Sequence, residues 1–232
     1  MKREEIRVIW LAVILSVLAL LTPTQEAWNF RAPYTPGEIY ITQFESTISV
    51  FGSEMVLGDK YEFACQKRSG SKISGTVSSR ENSFDSEEWG DGPLYRAEFD
   101  HRGKVTVFDG GEGDAELGAA MLRFFVYPDR EMRVGESWNW GDSKSGDQYT
   151  SKFTGVERGA EGPVARVVCT LNPSAGSSRR AVGLFWVRPD GIVERLDWTL
   201  ENFRHAWFEG EPVRKWIVQG WFVKKLTKAP GG

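Results

Sequence analysis

The 232-residue chain contains only two cysteines, Cys65 and Cys169, and only two histidines, His101 and His205. Two histidines cannot build a multi-histidine zinc centre. Basic runs are also missing: 29 basic and 32 acidic residues are dispersed along the sequence, so the clustered positive field that phosphate backbones require is absent and no nucleic-acid partner is expected. There is no G-x-S-x-G elbow to orient a nucleophilic serine. The loop Asp109–Asp114 stands between a strand-like and a helix-like segment, as a dinucleotide site would. Its third glycine would fall at Glu116, however, and its acids would face the pyrophosphate. The same acids do not follow the EF-hand spacing. Neither a metal nor a cofactor is therefore expected.

Long apolar runs are confined to the N-terminus. Lys2, Arg3 and Arg7 precede Val8–Leu21, in which Ser16 is the only polar residue, and Thr22-Pro23-Thr24 ends the run. That is the layout of a secretory signal segment over residues 1–27. Fourteen helical residues reach about 21 Å, short of the ~30 Å hydrocarbon core, so an uncleaved anchor is the second reading. Contact with a membrane is expected only through residues 8–21. The rest of the chain is expected to be exported, to the periplasm or the cell exterior. In such a compartment Cys65 and Cys169, both on inward-facing positions of apolar strands, form either one disulfide or two buried free thiols.

What remains is rich in aromatics and glycine, with ten Trp, fourteen Phe, six Tyr and 25 Gly. Aromatics favour pleated surfaces and glycines favour turns. Residues 28–37 read as a lead-in held extended by Pro33 and Pro36, and residues 38–228 as one β-rich domain. Strand patterns recur at Glu38–Val50, Tyr61–Lys67, Ile73–Ser79, Leu94–Asp100, Lys104–Phe108, Trp138–Trp140, Gln148–Val156, Val164–Leu171 and Val213–Leu226. One helix is expected over Asp114–Phe125, capped by Asp114, with Leu117, Met121, Phe124 and Phe125 along one face and Pro128 beyond its end. The acidic stretch Glu81–Pro93 reads as a solvated loop.

The clearest local signal is a hairpin over Arg180–Phe203. Pro189-Asp190-Gly191 fits a type I turn followed by a left-handed residue. Counting outward, Trp186 falls opposite Glu194, Leu184 opposite Leu196 and Val182 opposite Trp198, all on one face. Glu194 is then the single acid on an apolar face, where a carboxylate has the raised pKa of a general acid; it is the sole catalytic candidate, against a structural role in an ion pair. Adjacent Trp207 and Phe208 must face opposite sides of a strand, as must Trp221 and Phe222. Trp186, Trp198, Trp207 and Trp221 are accordingly the candidate binding residues for an apolar ligand, a glycan or a partner.

Tyr61-Glu62-Phe63, the helix followed by Pro128, Val134-Gly135-Glu136-Ser137-Trp138 and Gly183-x-x-Trp186-Val187-x-Pro189-Asp190-Gly191 together resemble bacterial exported proteins of unknown function with a LolA/LppX-like lipoprotein-carrier fold. The resemblance covers Tyr61–Leu200 and carries no catalytic residues. It implies one curved antiparallel sheet, a half-barrel or open barrel of about ten strands, with the short helix packed on it; a two-sheet β-sandwich is the alternative. The expected function is non-enzymatic binding of an apolar or lipid-like ligand, or of an envelope protein. A carbohydrate-binding module or glycoside hydrolase, and a structural envelope component, are the alternatives.

Overall fold

A computed structural model describes residues 27–50, 52–82, 90–109, 125–141, 146–203 and 213–227. Residues 1–26 of the signal segment, residues 114–124 of the expected helix, His205 and Trp207 lie outside the described residues. Among those described, the structure is built from strands and contains no helix.

Eleven strands form one antiparallel sheet in two meanders. The first runs β2 (Glu38–Val50), β3 (Ser53–Ser69), β4 (Lys72–Asn82), β5 (Gly90–Asp100) and β6 (Val105–Asp109). The second runs β8 (Ser137–Gly141), β9 (Gln148–Gly159), β10 (Gly162–Asn172), β11 (Arg180–Val187), β12 (Val193–Phe203) and β13 (Val213–Thr227). The meanders join in the middle, where β13 pairs with β2 over Lys215↔Ser49 to Thr227↔Glu38. The strands extend beyond the sequence-derived segments; residues 81, 82 and 90–93, expected in a loop, belong to β4 and β5. Two short strands, β1 (Ala27–Trp28) and β7 (Met132–Arg133), pair separately and have no counterpart in the periodicity analysis.

The sheet ends at β6 and β8 and is not closed by a ladder, yet it curls strongly. Laid flat, the nine steps from β5 to β8 would span about 43 Å at ~4.8 Å per strand. Instead Arg102, in the turn after β5, places its Nη2 3.5 Å from the carbonyl oxygen of Asn139 in β8. The gap is bridged by the chain after residue 124: Arg102 Nε donates to the Tyr127 carbonyl at 2.8 Å, Trp138 Nε1 donates to the Val126 carbonyl at 2.9 Å, and Asp129 sits 2.9 Å from His101 and 3.2 Å from Arg102.

Alternation puts Phe44, Ile48, Phe63, Ile73, Val77, Phe99, Phe153, Val167, Phe185, Leu196, Trp198 and Leu200 on the concave face, all buried. Two extended segments lie across that face. The lead-in contributes Phe30, Ala32 and Tyr34; the crossover contributes Phe125, Val126 and Tyr127. Phe30 packs at 5.4 to 6.0 Å from Phe153, Trp138 and Phe125, while Tyr34 packs at 5.0 to 5.5 Å from Phe63, Tyr40 and Phe99. The chain itself therefore supplies the filling of its own concavity.

The central hairpin forms over the expected residues with a different register. The turn is as read: Gly191 has φ +89° and its N–H donates to the Arg188 carbonyl at 2.9 Å. Val187 pairs with Val193, but Trp186 pairs with Arg195, so Glu194 is an extra residue in a bulge. The bulge shifts the phase of β11 by one. Ala181, Gly183, Phe185 and Val187 face inward, and Trp186, Leu184 and Val182 face outward; the β12 face of Leu196, Trp198 and Leu200 is as expected. Gly183 lies opposite Trp198, where an added Cβ would come within 2.7 Å of the indole. Glycine there lets the Trp198 ring lie flat on the neighbouring strand. At Gly191 an added Cβ would meet the Arg31 carbonyl at 1.9 Å, and Tyr127 Oη donates to the Gly191 carbonyl at 2.5 Å. The turn is thus the point at which the lead-in and the crossover are both held.

Cys65 and Cys169 are buried free thiols, and the disulfide alternative is not realised. They lie on β3 and β10. Burial pushes the Cys169 thiol up to about 12.

Candidate ligand cavity

The concave face is filled unevenly. Over the β2, β3, β12 and β13 part of the sheet, the side chains leave a hollow that opens to solvent. Its floor is Tyr40, Thr42 and Phe44 of β2, Tyr61 and Phe63 of β3, Leu196 of β12, and Gly220 and Phe222 of β13. The lead-in and crossover roof it with Pro33, Tyr34, Phe125 and Tyr127. Water centres can range over about 70 Å³ of it, several times the ~15 Å³ that one water needs.

Among the described residues, no charged side chain lines the hollow. Its polar groups are the Thr42 hydroxyl and four phenols, and two of those phenols have defined protein partners. Tyr40 Oη accepts from the Thr35 N–H at 2.9 Å and lies 2.7 Å from the Pro33 carbonyl and 2.5 Å from Glu38 Oε2, where one hydroxyl proton serves two acceptors. Tyr127 Oη is held by Gly191. Burial raises the pKa of Tyr34, Tyr40 and Tyr127 above the ordinary phenol value, with neighbouring phenols and carboxylates adding to it. These groups are neutral near pH 7, and an apolar hollow with neutral donors suits an uncharged or aliphatic occupant.

The candidate residues are scattered. Trp198 is 1% exposed and belongs to the packed core. Trp186 is half-buried on the convex face, with its Nε1 donating to Glu157 at 3.0 Å and the Arg195 guanidinium 4.8 Å from its ring centroid. Trp221 is 37% exposed on the same face, next to Arg195 in the ladder. Trp207 lies outside the described residues. Glu194 Oε1 accepts from the Ala160 N–H at 2.8 Å at the β9–β10 turn, and its Oε2 is buried without a hydrogen-bond partner. Trp186, Trp198, Trp221 and Glu194 do not line the hollow. The residues that do, Tyr40, Thr42, Tyr61 and Phe222 among them, sit on strands read from the sequence. Alternation placed Phe222 opposite to Trp221, and the structure points it into the cavity; the roof had no periodic signal to find.

No family model matches the chain, and no curated protein matches it. Solved structures do. Lipovitellin, in a structure described for its lipid–protein interactions, aligns with 86% of this chain at a TM-score of 0.52 and 12% identity. The shared feature is the fold. This chain spans about a quarter of the lipovitellin chain, 26% of its length. A protein described as exported, with a YmcC-like fold, from Bacteroides fragilis is 12% identical over 85% of this chain and 99% of its own, with a TM-score of 0.38. A domain named for outer membrane lipoprotein sorting, from Vibrio parahaemolyticus, is 11% identical over 84% of this chain and 87% of its own, at 0.23.

Proposed function

We propose that this protein is an exported, non-enzymatic carrier that holds one apolar, lipid-like molecule in the hollow between its curled sheet and its own extended segments. The observation that carries the reading is the cavity: aromatic and aliphatic walls, no charged lining residue among those described, and an open mouth. Burying an aliphatic chain there is favourable by about 25 cal/mol per Å² of apolar surface. The size of the hollow favours a single chain over a whole bilayer lipid. A sugar-binding role for Trp186 and Trp221 has less support, because Glu157 and Arg195 already engage the indole N–H and one region of the Trp186 ring.

The test is uptake of a fluorescent long-chain fatty acid by the purified protein, beside mass spectrometry of an organic extract. Thr42 is a small residue on the cavity floor. Thr42→Trp fills the space and abolishes uptake while the melting transition is kept. Equal uptake by Thr42→Trp and the unmodified protein, with no lipid in the extract, overturns the reading.

A further inference from the structure

One phenol of the hollow is held rigidly and left without a partner. The ring of Tyr34 stands 5.0 to 5.5 Å from those of Phe63, Tyr40 and Phe99. Its backbone is fixed on both sides: Arg68 Nη1 donates to the Tyr34 carbonyl at 3.1 Å, and the N–H of Thr35 donates to Tyr40 Oη at 2.9 Å. The phenol therefore has little freedom to turn elsewhere. Tyr40 and Tyr127, beside it in the lining, hydrogen-bond to the protein, whereas Tyr34 Oη has no hydrogen-bond partner among the described residues. Tyr34 is 8% exposed. Its oxygen is nevertheless not sealed in protein, and the space against which the residue stands is the hollow. Thr42, whose hydroxyl also lacks a partner among the described residues, is half-buried, so water can serve it.

A hydroxyl kept from water without a partner is costly. Burial keeps the Tyr34 phenol protonated near pH 7, so it offers a proton to an acceptor. A carboxylate or phosphate could accept, but each would leave water for a site whose described lining has no cation to compensate it. An uncharged oxygen meets the same donor without that penalty. We propose that the hollow takes a long-chain lipid through an uncharged oxygen function, an alcohol or an ester, which accepts a hydrogen bond from Tyr34 Oη. This inference rests on the carrier reading and narrows its ligand class.

The test is displacement of the fluorescent fatty acid from the full chain at about pH 8 by dodecanol, methyl dodecanoate, dodecanoate or oxygen-free dodecane, each delivered from cyclodextrin. Dodecanol and the ester are expected to compete at least about fivefold more tightly than dodecanoate. Tyr34→Phe should weaken both by about three- to tenfold, the size of one net hydrogen bond, and leave dodecane unchanged. That variant keeps the ring on Phe63 and Phe99 and removes a hydroxyl that no described residue uses, so the melting transition is kept. Thr42→Val should alter the ranking by under about twofold. Dodecanoate competing as well as dodecanol, Tyr34→Phe acting on dodecanol and dodecane alike or on neither, or the preference for oxygen vanishing in Thr42→Val alone would each overturn oxygen recognition. In all of these cases the fluorescent fatty acid is still taken up and the carrier reading stands. Absence of uptake by the unmodified protein removes both.

Discussion

The two flanks of the concave face are built from the same kinds of residue and end in different states. On the β8, β9 and β11 side, Phe30 and Phe125 descend from the lead-in and crossover into a cluster with Trp138, Phe153 and Phe185, with ring centroids 5.0 to 6.0 Å apart. On the β2, β3 and β13 side, Tyr34 descends onto Phe63 and Phe99, but Phe44, Tyr61, Phe108 and Phe222 are left standing around open space. A curled sheet encloses more volume than its own inner side chains occupy. Where the crossing segments send Phe30 and Phe125 down among the sheet's aromatics the surplus is filled, and beneath Pro33, Tyr34 and Tyr127 a hollow is left.

The sharpest test of that contrast is a pair of truncations. Phe153, 0% exposed and in edge contact with Phe30 and Trp28, is a filled-flank residue. Phe153→Ala is expected to cost about 3–5 kcal/mol in denaturant unfolding, the range for a large aromatic removed from a close-packed site. Phe108, half-buried at the wall of the hollow, has space on one side already. Phe108→Ala is expected to cost under about 2 kcal/mol, because little apolar area returns to water and no new sealed void is made. Equal costs would mean that the hollow is as tightly packed as the cluster.

Much of this architecture could be read from the residues because strands announce themselves by period-two alternation and Gly-rich turns. β2 begins and ends where its pattern does, at Glu38 and Val50. Two things could not be read. The lead-in and crossover have no periodicity, since each contacts the sheet through irregularly spaced residues such as Phe30, Tyr34 and Tyr127, so the roof of the cavity was invisible. The bulge at Glu194 was invisible too, because a single extra residue leaves composition and turn signals unchanged while turning every side chain of β11 to the other face. That one residue moved Trp186 from the expected core to the convex surface and brought Phe185 in.

A smaller effect separates the flanks electrostatically. Glu38, beside the hollow, is opposed by burial, but hydrogen bonds from Tyr40 and Lys225 hold its carboxyl below the usual 4.5. A carboxyl depressed in the folded state contributes stability that is complete above the ordinary carboxylate pKa and is lost as pH falls through the folded value. Glu38→Gln should therefore flatten the decline in stability between about pH 5 and pH 3. An unchanged acid limb would show that Glu38 does not tie the lead-in to β2.

The least effect is expected at Glu194, where the two readings of that residue diverge. Its Oε1 holds the Ala160 N–H, tying the β9–β10 turn to the bulge of β12, and a glutamine carbonyl can accept the same bond. Its Oε2 is buried without a partner, and an amide nitrogen in that position gains no new bond while losing a negative charge from a desolvated site. The two changes oppose each other, so Glu194→Gln should shift stability by under about 1 kcal/mol and leave fatty-acid uptake unaltered. A general acid would behave differently: any glycoside hydrolysis detected in the unmodified protein would vanish in this variant with the fold intact. Melting, uptake and hydrolysis measured together on Glu194→Gln therefore separate a carboxylate that pins a turn from one that performs chemistry.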